Sequence, residues 1–333
     1  ERLQIRRRAR ERRLLQLAGK EAEASMAVSQ RAVAVGAVRQ RSLLDRERVL
    51  GPLLISPALL YIALLVGFPF LFAIYLSLTD ATVGAPHGHF IGLANFAEIL
   101  QSRAFQTALR NTFLFTLIPQ AFIVVLANIL ALLLSTEFRG RGVVTFLVLL
   151  PWVAPVSLTT IAWLWIFHAR FSIIDWFLRQ LGLLEGNLFW LGRPDLAWVS
   201  IVVVHVWRML PFATVVLLAG HSSLPRDVLE SAQVDGASFW RTLFQIKLPL
   251  LLPILSVAVL FGTVFTFSDM AVVYVLTRGG PYDTTHVLAS LAYFKGIFGG
   301  NLSVGAAISL FLFPVLAAVA FLILRVARRA EVT

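Results

Sequence analysis

Six stretches of this chain are each long and apolar enough to cross a lipid bilayer, and that constrains the fold more than any other feature. They cover about 53–78, 111–135, 143–167, 196–219, 250–276 and 304–324. A hydrocarbon core of about 30 Å takes about 20 helical residues. Backbone exposed to lipid must satisfy its own hydrogen bonds, so helices are the default and no run reads as alternating strand. Of 333 residues, 58% are apolar or aromatic and only 14% are charged; soluble domains carry roughly 25% charged residues. A soluble enzyme, a disordered chain and a repeat scaffold are therefore excluded, and an all-α polytopic membrane protein is expected.

The formal net charge of +11 would suit a nucleic-acid binder, but its distribution argues otherwise. Residues 1–48 hold 13 of the 29 Lys and Arg residues and form a basic cytoplasmic arm; the apolar membrane region is 49–329. With the N-terminus inside, the inner segments 1–52, 136–142, 220–249 and 325–333 carry 21 basic residues, and the outer loops carry 7. That asymmetry puts both termini in the cytoplasm. Arg-rich segments there meet anionic membrane lipid at about 1 kcal/mol per residue. No basic face with stacking aromatics or reading motif accompanies the charge, so no nucleic-acid partner is expected. The arm lacks the apolar core of a cleavable signal peptide. Trp152, Trp163, Trp165, Trp176, Trp190 and Trp198 fall near the expected membrane interfaces.

Residues 220–249 interrupt the hydropathy and are too patterned for a linker. Pro225 suits the first turn of a helix. Asp227 and Glu230 suit its positive end, and Gly236 suits its termination. A second short helix, 239–245, is expected to end before Pro249, because the residue before a proline avoids αR. The stretch reads Glu230-Ser231-Ala232, three residues, Gly236, nine residues, Ile246, one residue, Leu248-Pro249. It resembles the EAA loop of the permease subunits of binding-protein-dependent ABC importers, with Ser231 as the one departure and Asp235-Gly236-Ala237 as a carbohydrate-type extension. The phrases Phe90-Ile91-Gly92-Leu93-Ala94-Asn95-Phe96 and Leu276-Thr277-Arg278-Gly279-Gly280-Pro281 are similar to those of the carbohydrate-uptake members. Gly92 and Asn95 are read there as turn formers.

The resemblance implies six transmembrane helices of the type I importer kind and a cytoplasmic coupling helix in the bacterial inner membrane. It implies a second permease subunit, a cytoplasmic ATPase dimer, an extracytoplasmic solute-binding protein and a sugar substrate. The ATPase contacts would be Glu230, Ser231, Ala232, Asp235, Gly236, Ala237, Ile246, Leu248 and Pro249. ATP and Mg would be used by those partners, since this chain has no G-x-x-x-x-G-K-[ST] loop. No cofactor, metal site or catalytic set is expected; His87-Gly88-His89 has no carboxylate at ligand spacing.

Ionisable groups inside spans are costly and are functional candidates. His205 and Arg208 share a face of the fourth span, continued by Met209 and Phe212. Phe265, Thr266 and Asp269 share a face of the fifth. In the resembled family these turns carry substrate contacts. Two readings stand: a substrate pathway, or an Arg208–Asp269 ion pair joining the two spans. A guanidinium also suits a phosphorylated polyol such as glycerol phosphate. An ion-coupled secondary carrier is the competing class, but no internal repeat is visible.

Overall fold

A computed structural model describes residues 47–331, together with Gly19, Lys20 and Met26. The rest of the basic arm expected over 1–48 lies outside these residues. The chain divides into two units, 1–69 and 70–333. The apolar helix α1, Leu50–Ser77, starts in the first unit, where it is exposed along its length. A π-turn over Ala63–Gly67 closes with Phe68 N–H on the Ala63 carbonyl. Pro69 follows at once. A π-turn leaves carbonyls without partners, and a proline, which has no N–H to give, fits just beyond one.

The second unit is all helix apart from loops and two isolated β-bridges. After the end of α1 come α2 (Ala94–Gln101), α3 (Arg103–Ser135), α4 (Arg141–Val153), α5 (Val156–Ile166), α6 (Ile173–Gln180), α7 (Pro194–Ser222) and α8 (Arg226–Val234). Then follow α9 (Phe239–Phe267), α10 (Ala271–Leu276), α11 (Leu288–Phe298) and α12 (Leu302–Glu331). Five of the described helices are long and apolar enough to cross a membrane, or six if the bent pair α4–α5 counts as one span.

α3 is the mast of the bundle. Its buried residues Phe105, Ala108, Phe115, Ile123, Ala127 and Ala131 recur at helical spacing and feed three successive clusters. Phe105 and Ala108 meet α11 and α12; Phe115 meets Ile201 and Val204; Ile123, Ala127 and Ala131 meet Met209, Ala213 and Leu217 of α7. Lipid tails are as apolar as leucine, so helices associate here through close van der Waals packing, which small residues such as Ala127, Ala131 and Ala213 permit. The same logic places Gly296 against Gly305, where a side chain on Gly305 would meet the Gly296 Cα at 2.4 Å.

Three sequence expectations change. The third span is not one rod: α4 and α5 bend by 100°, because Ala154, preceding Pro155, is extended (φ −71°, ψ 141°). The short helix over 239–245 does not stop before Pro249. A π-turn over Leu243–Lys247 closes with Leu248 N–H on the Leu243 carbonyl, and the helix runs on through Pro249. The fifth span therefore covers Phe239–Phe267 and stops short of Leu276. Finally, Asn95 is not a turn former; it lies inside α2, and its amide donates to the Ser77 and Thr79 carbonyls at 2.8 and 2.7 Å. Gly92 is in the left-handed region (φ +61°), as a turn requires.

Candidate functional site

α9 ends at Phe267, and α10 begins after a break of three residues, at Ala271. Asp269 sits in that break. Its Oδ1 accepts the Ala271 N–H at 2.8 Å, a donor left free at the start of α10. Its Oδ2 accepts from Arg208 Nη1 at 2.7 Å. His205 Nδ1 lies 3.2 Å from the same oxygen but off line for a hydrogen bond. His205 Nε2 instead pairs with the Thr266 hydroxyl at 2.8 Å, and that hydroxyl donates to the Gly262 carbonyl at 2.7 Å. The side chains of His205, Asp269 and Arg208 are 0%, 7% and 23% exposed. The carboxylate and imidazole are thus interior, and the guanidinium reaches the surface. Arg208 and Asp269 do pair across 61 residues of sequence, which joins α7 to the break between α9 and α10.

One turn along from Arg208, an aromatic patch opens on the same side. The Phe212 ring stacks on Trp152 of α4 at 5.1 Å and meets Phe265 edge-on at 5.9 Å. Phe261, one turn before Phe265, extends the patch. Trp152, Phe261 and Phe265 are exposed. Of the seven residues selected from the sequence, Arg208, Phe212 and Phe265 share this open face. His205, Thr266 and Asp269 form the polar network behind it, and Met209 packs in the α3–α7 core. Trp152 and Phe261 escaped sequence reasoning. Phe261 was detectable as the i−4 neighbour of Phe265, whereas Trp152 comes from another helix altogether.

The second candidate site is the loop joining α7 to α9. Pro225 precedes α8, and the helix closes at Gly236 with φ +71°. Ala237 N–H bonds the Ala232 carbonyl at 2.9 Å and Gly236 N–H bonds that of Gln233 at 3.1 Å. This is the six-to-one and five-to-two pairing of a Schellman end, which needs a left-handed residue. The lock aims Glu230, Ser231 and Asp235 into solution and keeps Ala232 buried. Ile246 and Leu248, at the start of α9, are half-buried, and Pro249 is exposed. A shallow groove of about 350 Å³ lies between α8 and α9, lined by Asp227, Val228, Ser231, Ala232, Asp235 and Ile246.

At the opposite end of the bundle, residues 277–287 form a tightly built loop. Asn111 of α3 donates to the Thr284 and His286 carbonyls at 2.7 and 2.9 Å, and Trp198 Nε1 donates to the Thr284 carbonyl at 3.1 Å. Gly279 (φ +84°) lies flat on the His286 ring. Burial and the Lys295 charge hold the His286 imidazole below its ordinary pKa, against the opposing pull of Asp283. Tyr282 stands out from this loop almost fully exposed.

Comparison with known proteins matches residues 123–332 to the family described as binding-protein-dependent transport system inner membrane component. The trehalose/maltose transport system permease protein MalF of Thermococcus litoralis is 33% identical over 283 residues, covering 85% of this chain and 95% of that protein. The trehalose transport system permease protein SugA of Mycobacterium tuberculosis is 32% identical over 280 residues, covering 84% of this chain and 89% of its own. Among solved structures, a bacterial ABC transporter involved in import of the acidic polysaccharide alginate superposes with a TM-score of 0.73 at 22% identity. That match covers 86% of this chain and 97% of the other, a likeness of fold.

Proposed function

We propose, from the premise that the chain belongs to the family of binding-protein-dependent transport system inner membrane components, that it is a permease subunit of an ATP-driven sugar importer. It would line half of the translocation pathway, with a second permease subunit completing it. An extracytoplasmic solute-binding protein would deliver the sugar to the 277–287 end, and both termini would face the cytoplasm of a bacterium.

The observation that carries this reading is the α8–Gly236–α9 corner. It presents an acidic row beside a groove, locked by the Schellman end, as a docking face for a separate ATPase dimer that uses ATP and Mg. α9 runs without interruption from that corner to Phe267, and 29 residues at 1.5 Å each make a rod of about 43 Å. Movement of the docked corner would therefore be felt at the far end of α9, beside Asp269. Coupling requires the ATPase pair to contact the corner differently in its two states.

The open face of Arg208, Phe212, Phe265, Phe261 and Trp152 suits an uncharged sugar. Aromatic rings cover its C–H faces, and the guanidinium edge bonds its hydroxyls. Arg208 is already neutralised by Asp269, and no second Lys or Arg lies within the apolar spans. A phosphorylated polyol would want more positive charge than this, so we favour a neutral substrate. His205, Thr266 and Asp269 would hold the face in place. This chain would perform no catalysis of its own.

The test is uptake by proteoliposomes holding the complete complex. Maltose and trehalose, but not glycerol 3-phosphate, are expected to enter only with ATP on the ATPase side. Glu230→Lys and Gly236→Val are expected to abolish uptake while the two permease subunits still co-purify. Uptake that persists without ATP, or is unchanged in both loop variants, would overturn the reading.

A further inference from the structure

The loop joining α7 to α9 is electrically split at Gly236. Before the glycine it carries Asp227, Glu230 and Asp235 against Arg226. After it, as far as Pro249, it carries Arg241 and Lys247 and no acidic residue. The second half also bears a run of exposed rings. Phe239, Trp240 and Phe244 are 62%, 64% and 59% exposed. Phe239 meets Trp240 edge-on at 5.2 Å, and Trp240 stacks on Phe244 at 5.9 Å. The groove beside α8 is lined by Ile246, and none of these rings lines it.

Depth in the bilayer can be reckoned from length. α9 has 29 residues, and a hydrocarbon core takes about 20. About nine residues are left over, which matches Phe239–Lys247 if the apolar stretch after it fills the core. That depth is the headgroup layer, where aromatic rings settle with one side apolar and one side wet. Arg241 and Lys247 then meet lipid phosphates, which attract basic side chains near the surface. The acidic first half would be repelled by the same surface and held off it.

We propose that the exposed rings Phe239, Trp240 and Phe244, with Arg241 and Lys247, are a bilayer anchor for anionic lipid headgroups, and that the corner divides its partners, with lipid on this basic aromatic face and protein on the acidic face and the groove that Ile246 lines. The anchor fixes one end of the corner to the membrane, and the left-handed glycine lets the other end be displaced against it.

The chain has no cysteine, so single cysteines can be spin-labelled without background. Phe239→Cys, Phe244→Cys and Val234→Cys would be labelled in the full chain, in nanodiscs about one-third phosphatidylglycerol in phosphatidylcholine. Labels at 239 and 244 are expected to collide with oxygen several-fold more often than with a water-soluble nickel chelate, and the label at 234 to do the reverse. In all-phosphatidylcholine nanodiscs, or in Arg241→Gln/Lys247→Gln, nickel collisions at 244 are expected to rise at least twofold. Trp240 in the otherwise native chain supplies an independent measurement: quenching by brominated lipid is expected to diminish in Trp240→Phe. Labels at 239 and 244 that meet nickel as often as the label at 234 would overturn the proposal in favour of a protein-covered face. A nickel signal indifferent to both lipid charge and the Gln pair would overturn the anionic preference.

Discussion

Breaking the Arg208–Asp269 pair from either side is expected to have unequal costs, because the two groups differ in access to water. Arg208→Met leaves the Asp269 carboxylate, 7% exposed, with one good donor, the Ala271 N–H, and an imidazole off line. Stranding a buried charge in this way costs about 3–5 kcal/mol. Asp269→Asn leaves a guanidinium that is 23% exposed and can turn toward water, and an amide oxygen that can still accept from Ala271. Its cost is that of a lost charged hydrogen bond, about 1.5–3 kcal/mol. The double variant removes both charges and should recover about 1–3 kcal/mol relative to the sum of the singles. Unfolding by sodium dodecyl sulfate titration in mixed micelles reads all four corners of the cycle. Equal single costs, or additivity within about 0.5 kcal/mol, would refute the reasoning. Uptake by the double variant then separates the roles. A folded double variant that transports normally means the pair is a clamp between α7 and the break after α9, whereas one that has lost transport places Arg208 in the pathway.

Gly279→Ala should cost roughly 2–4 kcal/mol, combining a left-handed φ with overpacking, since its Cβ would fall 2.1 Å from the His286 ring nitrogen. Gly300→Ala, also left-handed but with open space around it, should cost only about 1 kcal/mol; paired thermal melts check the difference. Gly262→Ala should destabilise, because its Cβ would sit 2.5 Å from Gln120 Oε1, a buried acceptor without a partner. Gln120→Ala should rescue it, a suppression measurable in the same melts. His286 titrates below its ordinary value when folded, so the unfolded chain takes up its proton first on acidification. Stability should therefore be full above about pH 6.5 and fall as pH drops below it toward the folded pKa, while His286→Gln flattens the profile between pH 7.5 and 5.

The spans and the loop were legible because they depend on local chemistry. An apolar run of 20 residues has one low-energy answer in lipid, and Gly236 after Asp227 and Glu230 spells a helix with an end. Prolines were read less well. Pro155 breaks its span and Pro249 does not, and the difference is the π-turn before Pro249, a matter of how five carbonyls are shared. The arm at 1–48 was legible only as charge.

What the sequence determined by itself is therefore the class of molecule, the number of apolar runs and the helix–glycine–helix pattern of the loop between the fourth and fifth of them. Which face of each span is buried was decided by tertiary structure alone. In water, polar residues mark the outside of a helix; in lipid, core and surroundings are equally apolar, and that periodic signal fades. Met209 and Phe212 are both apolar members of one face of the fourth span, yet one is packed against α3 and the other opens beside Arg208. The pairing of Arg208 with Asp269 belongs to the same category. A charge in hydrocarbon must find a partner, but only the crossing of α7 and the break after Phe267 determine that the partner stands 61 residues away.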